Sequence, residues 1–283
     1  MIISVSRRCD IPRFQFDWFL ERLNEGFIEI ANPYNANQIS RVSLLLNDVD
    51  AFAFWTRDPK HILANTDELE KRGYPFYVMV SLTNYPNILE PNMPPAPEVI
   101  NTIKELSRKI GKDRVIWRYD PIILTSATDV DFHRRNFAAL AQNLKGAVNR
   151  VIISIYDEYK KAAKRLNELE QAGKLLMINA GNVNVEDINV KNNFHDMLAS
   201  LAKSAQANSM HIQSCAEKEN FSSLGIKPGA CVDASLIEKI RGGACAEQTK
   251  RDKYQRPFCL CCQSKDIGAY NTCAAHCVYC YAS

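Results

Sequence analysis

Short apolar segments, rich in β-branched and aromatic residues, recur along the chain, and each is followed by polar residues. This pattern indicates short buried strands whose carboxyl ends carry functional side chains. The segments are residues 2–6, 49–55, 76–80, 115–117, 151–155, 210–212 and 267–270. We therefore predict seven strands with polar carboxyl ends.

Stretches with apolar residues at helical spacing lie between these strands. Most of them end at a glycine, which is the expected helix stop. The predicted helices are residues 16–24, 61–71, 97–110, 132–144, 159–171 and 194–206. Residues 27–46 contain Asn32-Pro33-Tyr34-Asn35 and predict a β-hairpin, whereas residues 175–180 fit either an extra strand or a loop.

The alternation of strands and helices predicts an α/β fold with a parallel sheet. About seven repeats indicate a full or partial (β/α) TIM-like barrel, in which chemistry collects at the carboxyl ends of the strands. We interpret residues 1–283 as a single domain. Within it, residues 216–265 break the rhythm with glycine- and cysteine-rich stretches and are interpreted as a metal-stapled insertion.

Composition and charge narrow the class of protein. The chain of 283 residues is 46% hydrophobic and 24% charged, as in globular proteins. A net charge of +3 gives no sign of a nucleic-acid partner, although a local groove stays open. Lys160, Lys161, Lys164 and Arg165 are predicted to form an exposed helix face. No apolar run reaches the roughly 20 residues of a membrane span, so we expect a cytoplasmic protein without a membrane partner.

Nine of the ten cysteines follow residue 214. In a reducing cytosol, crowded thiols are metal ligands or catalysts more often than disulfides. Cys273, Cys277 and Cys280 form a C-x3-C-x2-C loop, and three thiolates on a [4Fe-4S] cluster leave the fourth iron open. An open iron can chelate S-adenosylmethionine, whose reductive cleavage yields a radical that abstracts hydrogen from a substrate.

The same loop, with Tyr279 directly before the last cysteine, resembles the cluster loop of radical S-adenosylmethionine enzymes. A wider set of motifs resembles domain-of-unknown-function family 1848, an uncharacterised bacterial family, over nearly the whole chain. The motifs are Asn32-Pro33-Tyr34-Asn35, Ser40-Arg41-Val42-Ser43, Phe54-Trp55-Thr56, Arg118-Tyr119-Asp120-Pro121 and the string from Asp266 to Ala282. The strand ends after residues 80 and 117 are also distantly similar to spore photoproduct lyase, a radical enzyme that acts on DNA.

Two features depart from the radical superfamily. The cluster loop follows the last strand rather than the first, which a circularly permuted barrel explains if the last strand lies beside residues 2–6. The Gly-Gly-Glu stretch that contacts the methionine amino group in many members is absent, so other residues must bind the cofactor. The candidates are Arg57, Arg118, Ser81 and Asn271, together with Tyr279 from the resemblance; each arginine fits a structural salt bridge equally well.

Cys215, Cys231, Cys259 and Cys261 provide a second set of four thiolates. Such a set can hold an auxiliary iron–sulfur cluster, which we favour, or a tetrahedral zinc; unligated buried thiols are a third interpretation. Cys262 is an alternative to Cys261, but the Cys-x-Cys pair of the family matches Cys259 and Cys261. Cys9 and Cys245 are interpreted as plain cysteines.

The sequence therefore predicts a radical S-adenosylmethionine enzyme with an unknown substrate and an electron donor such as flavodoxin or ferredoxin. Asp120 and Tyr270 are candidates for proton or hydrogen transfer. One alternative is a non-catalytic zinc or iron–sulfur scaffold in which Cys259, Cys261, Cys277 and Cys280 form a zinc ribbon. The other is a DNA-repair lyase similar to the spore enzyme.

Overall fold

Eight parallel strands form the central sheet, and an antiparallel hairpin stands apart from it. The computed structural model describes residues 1–32, 35–178, 188–243 and 250–283. The strands are β1 (Ile2–Val5), β2 (Phe27–Asn32), β3 (Asn35–Ser43), β4 (Ala51–Thr56), β5 (Phe76–Ser81), β6 (Val115–Ile122), β7 (Arg150–Ile155), β8 (His211–Cys215), β9 (Lys227–Gly229) and β10 (Lys265–Asp266). The helices are α1 (Ile11–Phe14), α2 (Phe16–Glu25), α3 (Lys60–Lys71), α4 (Ala96–Ile110), α5 (Val130–Leu144), α6 (Lys160–Gln171), α7 (Ile188–Ala207) and α8 (Ala234–Arg241).

The strand order in the sheet is β10-β1-β4-β5-β6-β7-β8-β9, and β2 pairs with β3. The predicted α/β class, parallel sheet and hairpin are therefore confirmed. Across the described ranges, β9 and β10 each have a single neighbouring strand, so closure of the sheet into a barrel stays a prediction.

Alternate residues of the strands cover two different cores. On one face, side chains such as Phe54, Val78 and Ile153 pack with the buried sides of α2 to α5 and of α7. On the other face, Ala53, Tyr77 and their neighbours pack with the cysteine-rich segment and α8. Because side chains of a strand alternate between faces, the same short apolar strands serve both cores.

The last strand differs from its prediction. Residues 267–270 were expected to form it, but β10 consists of Lys265 and Asp266, which pair in parallel with Ile3 and Ser4 of β1. The reason is a set of polar contacts, since the Asp266 carboxylate accepts hydrogen bonds from the Ser4 and Ser6 hydroxyls at 3.0 and 2.6 Å. A β-carbon on Gly268 would lie 2.1 Å from the Ser6 hydroxyl oxygen, so the chain can pass this point only with glycine.

Some elements were not predicted from the pattern at all. The short helix α1, strand β9 and helix α8 lie in irregular stretches, and α8 begins where the Asp233 carboxylate accepts from the Leu236 N–H. Within residues 175–180, the described part is not a sheet strand, since Met177 forms only an isolated bridge with Thr125. Residues 179 and 180 lie outside the described residues, as does Cys245. No helix in the described parts of the chain has the length and apolarity needed to cross a membrane.

A buried histidine links α5 to β6. The His133 ring is fully buried, and its Nδ1 atom lies 2.8 Å from the Tyr119 hydroxyl while Nε2 lies 3.1 Å from the Ile123 carbonyl oxygen. The carbonyl can only accept, so Nε2 donates to it and Nδ1 accepts from the tyrosine. Burial lowers the pKa of His133 to about 4, because a charged ring is unfavourable away from water. A charged ring also carries a proton on Nδ1, which could then no longer accept from the Tyr119 hydroxyl.

His133 should therefore make folding pH-dependent. Below its ordinary pKa of 6.5 the unfolded chain binds a proton that the folded chain refuses until about pH 4, so stability falls as the pH drops through this window. From pH 7 to pH 5 the loss from this group is about 2 kcal/mol. Urea unfolding at both pH values should show a correspondingly smaller loss in His133→Gln; equal losses in both proteins would contradict the assignment.

Candidate metal centres

The cysteine loop that follows β10 lies over the carboxyl end of β5. Its backbone is fixed by hydrogen bonds to the connection between β5 and α4. The Val278 N–H donates to the Leu89 carbonyl at 2.9 Å, and the Asn92 side-chain amide donates to the Ala274 carbonyl at 3.1 Å. The loop is thus held at the sheet edge where strand ends meet.

Arg165 of α6 anchors the end of the loop. Its guanidinium donates to the backbone oxygens of Val278 at 2.9 Å and Ser283 at 2.5 Å, and to that of Cys280. Lys161 also contacts the loop, since its ammonium donates to the Asn271 side-chain oxygen at 2.5 Å. Lys161 is exposed as predicted, but the prediction of an exposed face was wrong for Arg165, which is partly buried. A loop end rich in carbonyl groups attracts a donor that periodicity alone assigns to water.

The three loop thiols lie close enough to influence one another's ionisation. Burial raises the pKa of Cys277 to about 12, with further raising by Glu90, Cys280 and Cys273 and an opposing effect of Arg57. Burial also raises the pKa of Cys273. The Ala282 N–H donates to the Cys280 sulfur at 3.3 Å.

A buried charge network supports this loop from below. Arg57, directly after β4, forms an ion pair with Glu90 at 2.7 Å, and the glutamate side chain is only 2% exposed. The Tyr279 hydroxyl donates to Glu90 and accepts from Arg57, and the Thr83 hydroxyl also donates to Glu90. Burial alone would lower the pKa of Arg57, but Glu90, Tyr279 and Cys277 together outweigh it and raise that pKa well above its usual value.

Arg57 and Tyr279 are thus placed beside Cys277, but their polar groups already have partners within the chain. Arg118 forms an ion pair with Asp120, and the Ser154 hydroxyl donates to Asp120 at 2.7 Å, but the Nε atom of Arg118 has no partner. The pKa of Arg118 is raised, since Asp120 together with neighbouring cysteines outweighs the effect of burial. Their predicted roles toward a cofactor stay predictions.

The remaining candidates surround the loop. Ser81 is the last residue of β5 and is paired with Arg118 of β6. Asn271 adopts a φ of 62°, and its N–H donates to the Ala282 carbonyl at 2.8 Å, which closes the loop on itself. Tyr270 is partly exposed, with the Arg8 guanidinium 5.1 Å from its ring centre.

The second set of cysteines lies on the face of the sheet that carries Ala53 and Tyr77. Cys215 ends β8, Cys231 follows β9, and Cys259 and Cys261 come from the segment before β10; all four are buried. The sulfurs of Cys231 and Cys215 are 3.2 Å apart. Two arginines approach them: Arg118 lies near Cys231 and Cys215, and Arg7 near Cys261 and Cys231.

Sequence reasoning missed Glu90, Arg7 and Arg165. Glu90 stands in a proline-flanked stretch without periodicity, so nothing marked it as a buried carboxylate. Arg7 follows β1 and lies 5.3 Å from the Trp55 ring centre, with Arg118 4.6 Å from the same ring. Its position after a buried strand was the one available signal.

Whether these sites fit a metal or cofactor can be judged from their possible ligands and from buried polar atoms that lack a partner. In the part of the chain that the structure describes, no three His, Cys, Asp or Glu side chains are arranged to hold a single metal ion as they stand. However, the indole N–H of Trp55, the Nε atom of Arg118 and the Tyr156 hydroxyl are buried without a partner. Leaving buried polar atoms without a partner costs free energy. These unpaired atoms and the seven thiols of the two cysteine sets therefore fit sites that bind a further group.

Comparison with known proteins defines the family. The chain belongs to the family described as Domain of unknown function (DUF1848), which matches residues 2–282. No curated protein matches the chain. Among solved structures it is similar to the crystal structure of a presumed alpha-L-fucosidase from Bacteroides thetaiotaomicron VPI-5482, with 12% sequence identity, a TM-score of 0.28, and coverage of 76% of this chain and 79% of that chain. A likeness of this degree carries no argument.

The Arg57–Glu90 pair should be essential for stability. Glu90→Gln leaves the buried Arg57 charge without its counterion, and breaking such pairs costs about 3–5 kcal/mol. Urea unfolding measures this loss. The matched control is Asp67→Asn, which breaks the exposed Lys109–Asp67 pair and should cost no more than about 1 kcal/mol. Similar effects of both substitutions would show that the buried network contributes little.

Proposed function

We propose that the chain is a radical S-adenosylmethionine enzyme in which Cys273, Cys277 and Cys280 hold a [4Fe-4S] cluster with one open iron. The observation that carries this proposal is the position of the three thiols. They come from one short loop, lie near one another, and sit over the carboxyl ends of parallel strands, where α/β enzymes concentrate their chemistry.

The number of nearby thiols also supports an open iron. Among the described residues, the other cysteine found beside the loop is Cys9, which lies near Cys273 but has its thiol hydrogen-bonded to Thr272 and to the Ala269 backbone. A thiol engaged in this way is a poor candidate for a fourth ligand. Three thiolates leave one iron free for a ligand that is not protein.

The order of the strands supports a circularly permuted arrangement. The strand that precedes the cluster loop, β10, pairs with β1, which in turn pairs with β4. The cysteine loop therefore lies next to β1. In an unpermuted chain the loop would reach the same place by following the first strand directly.

When bound, such a cluster supplies reductive cleavage of the S-adenosylmethionine carbon–sulfur bond and so a hydrogen-abstracting radical, with electrons from a donor such as flavodoxin or ferredoxin. The chain's own residues would hold the cysteine loop in position and shield it from water. Glu90 and Arg57 hold Tyr279 and the loop in one place, and Tyr85, whose ring centre is 5.9 Å from that of Tyr279, covers it from the side. Arg118, with its unpaired Nε atom, is the residue placed to bind a carboxylate.

The scaffold interpretation with a zinc ribbon has less support. Its four ligands would be Cys259, Cys261, Cys277 and Cys280, but these belong to two separate buried clusters. Cys259 and Cys261 pack with Cys215 and Cys231, whereas Cys277 and Cys280 pack with residues of α6 and the loop after β5. A DNA-repair lyase has no specific observation in its favour.

The reaction can be tested with anaerobic reconstitution by iron and sulfide. Wild-type protein should bind about four iron atoms at the loop, and should release 5′-deoxyadenosine when reduced in the presence of S-adenosylmethionine. Cys277→Ala should lose this iron and the product, because the thiolate that holds one iron is gone.

Cys9→Ala is the matched control, because its thiol is buried beside the same loop but is not assigned to the cluster. It should keep both iron and product. Loss of the cluster in Cys9→Ala would reveal a fourth protein thiolate and remove the open iron. A fully loaded wild-type cluster that releases no 5′-deoxyadenosine would favour a scaffold.

A further inference from the structure

The second set of cysteines forms a chain of sulfur–sulfur contacts. The Cys231 thiol is hydrogen-bonded to Cys215, at a sulfur–sulfur distance of 3.2 Å, and also to Cys261. Cys261 in turn is hydrogen-bonded to Cys259. Four thiols from three separate parts of the sequence therefore meet within hydrogen-bonding distance inside one buried cluster.

These short contacts discriminate between the two metals that four thiolates can hold. Thiolates on one zinc ion have Zn–S distances of about 2.3 Å, so tetrahedral sulfurs lie about 3.8 Å apart. In a [4Fe-4S] cluster each thiolate binds a different iron, which keeps the cysteine sulfurs much farther apart. As they stand, the four side chains are not arranged around one ion, so they must turn to bind it. We propose that Cys215, Cys231, Cys259 and Cys261 bind a single tetrahedral zinc ion in this way rather than an auxiliary iron–sulfur cluster.

The cluster loop provides the contrast within the same molecule. Cys273, Cys277 and Cys280 are near one another, but no sulfur–sulfur hydrogen bond joins them among the described residues. Their spacing is looser than that of the second set. One chain thus contains an open group of three thiols and a tight group of four, which suits a polynuclear cluster and a single ion respectively.

Backbone donors and positive charge lie beside the sulfurs of the tight group. The Val232 N–H donates to the Cys261 sulfur at 3.3 Å, and the Cys261 N–H points to the Cys259 sulfur at 3.5 Å. Four thiolates on one divalent ion keep a net negative charge, and Arg7 and Arg118 both lie beside them. The unpaired indole N–H of Trp55 belongs to the same buried cluster and is a further donor toward negative charge.

Cys262 is excluded from the set although it is buried beside it. Its thiol donates to the Val232 carbonyl at 3.1 Å, so the sulfur is engaged with the backbone and not with the other thiols. This contact resolves the choice between Cys261 and Cys262 in favour of Cys261. It also supplies a control variant of the same residue type, the same burial and the adjacent position.

The zinc ion would fasten the cysteine-rich segment to the sheet. Cys215 belongs to β8, and the Cys231 carbonyl accepts a hydrogen bond from the Tyr77 hydroxyl of β5 at 2.9 Å. Helix α8 packs on the same face through Leu236 and Ile237. Because zinc binding to such ligands contributes directly to folding, this face of the sheet would be ordered only in the metal-bound chain.

Metal analysis of the purified protein by mass spectrometry tests the site without any assay of activity. We expect about one zinc per chain, retained in Cys277→Ala and in Cys262→Ser and lost in Cys231→Ser. Cobalt(II) grown into the site should give the intense visible absorption of tetrahedral thiolate coordination, absent in Cys231→Ser. Iron and sulfide that persist in Cys277→Ala but disappear in Cys231→Ser would overturn the proposal.

A second measurement uses wild-type protein and so does not depend on the folding of a variant. An organomercurial that titrates thiols should release zinc to a coloured chelator, with complete release after about four thiols have reacted at the site. Zinc-free protein with a disulfide between Cys215 and Cys231 would overturn the proposal, as would release of iron instead of zinc. Loss of loop iron in Cys277→Ala with zinc retained separates this site from the proposed radical cluster.

Discussion

Parallel pairing of eight strands is the constraint on which the site depends, because it brings the carboxyl end of every strand to one edge. Residues far apart in sequence, such as Arg7, Arg57 and Arg118, meet there without any long-range motif. The ends of β1 and β4 and the middle of β6 deliver these cations, and the connection after β5 delivers Glu90. The cysteine loop then rests on a surface that is already charged and ordered.

Each group of thiols has its own cationic surroundings. Arg57 and Arg165 serve the loop, the first through Glu90 and Tyr279 and the second through three backbone oxygens. Arg7 and Arg118 lie beside the tight group of four cysteines, and both guanidinium groups contact the Trp55 ring. Buried positive charge of this kind is costly unless an anion accompanies it, and Glu90 and Asp120 supply that anion for Arg57 and Arg118.

The sequence predicted the strands of the sheet well because buried apolar segments have a strong local signal. It also predicted that Cys273, Cys277 and Cys280 would act together, since they share one loop. The sequence alone left Cys262 as an alternative to Cys261 in the second set of cysteines. The fold favours Cys261, because the Cys262 thiol is hydrogen-bonded to the Val232 carbonyl. The roles of Glu90 and Arg165 could not be predicted, because their partners are backbone and side-chain atoms distant in sequence. The last strand was misplaced because the polar contacts of Asp266 outweigh the apolar pattern that follows it.

The pairing of β10 with β1 joins the beginning of the sequence to its end. During translation, β1 leaves the ribosome early and keeps one edge unpaired until residues 265 and 266 arrive, long after the other strands have been made. The contacts of the cysteine loop with Leu89, Arg57 and Arg165 likewise join late chain to earlier chain. If the loop holds the proposed cluster, its three thiols would reach their final positions only after nearly the whole chain has been made, so the cluster would be loaded late in biogenesis.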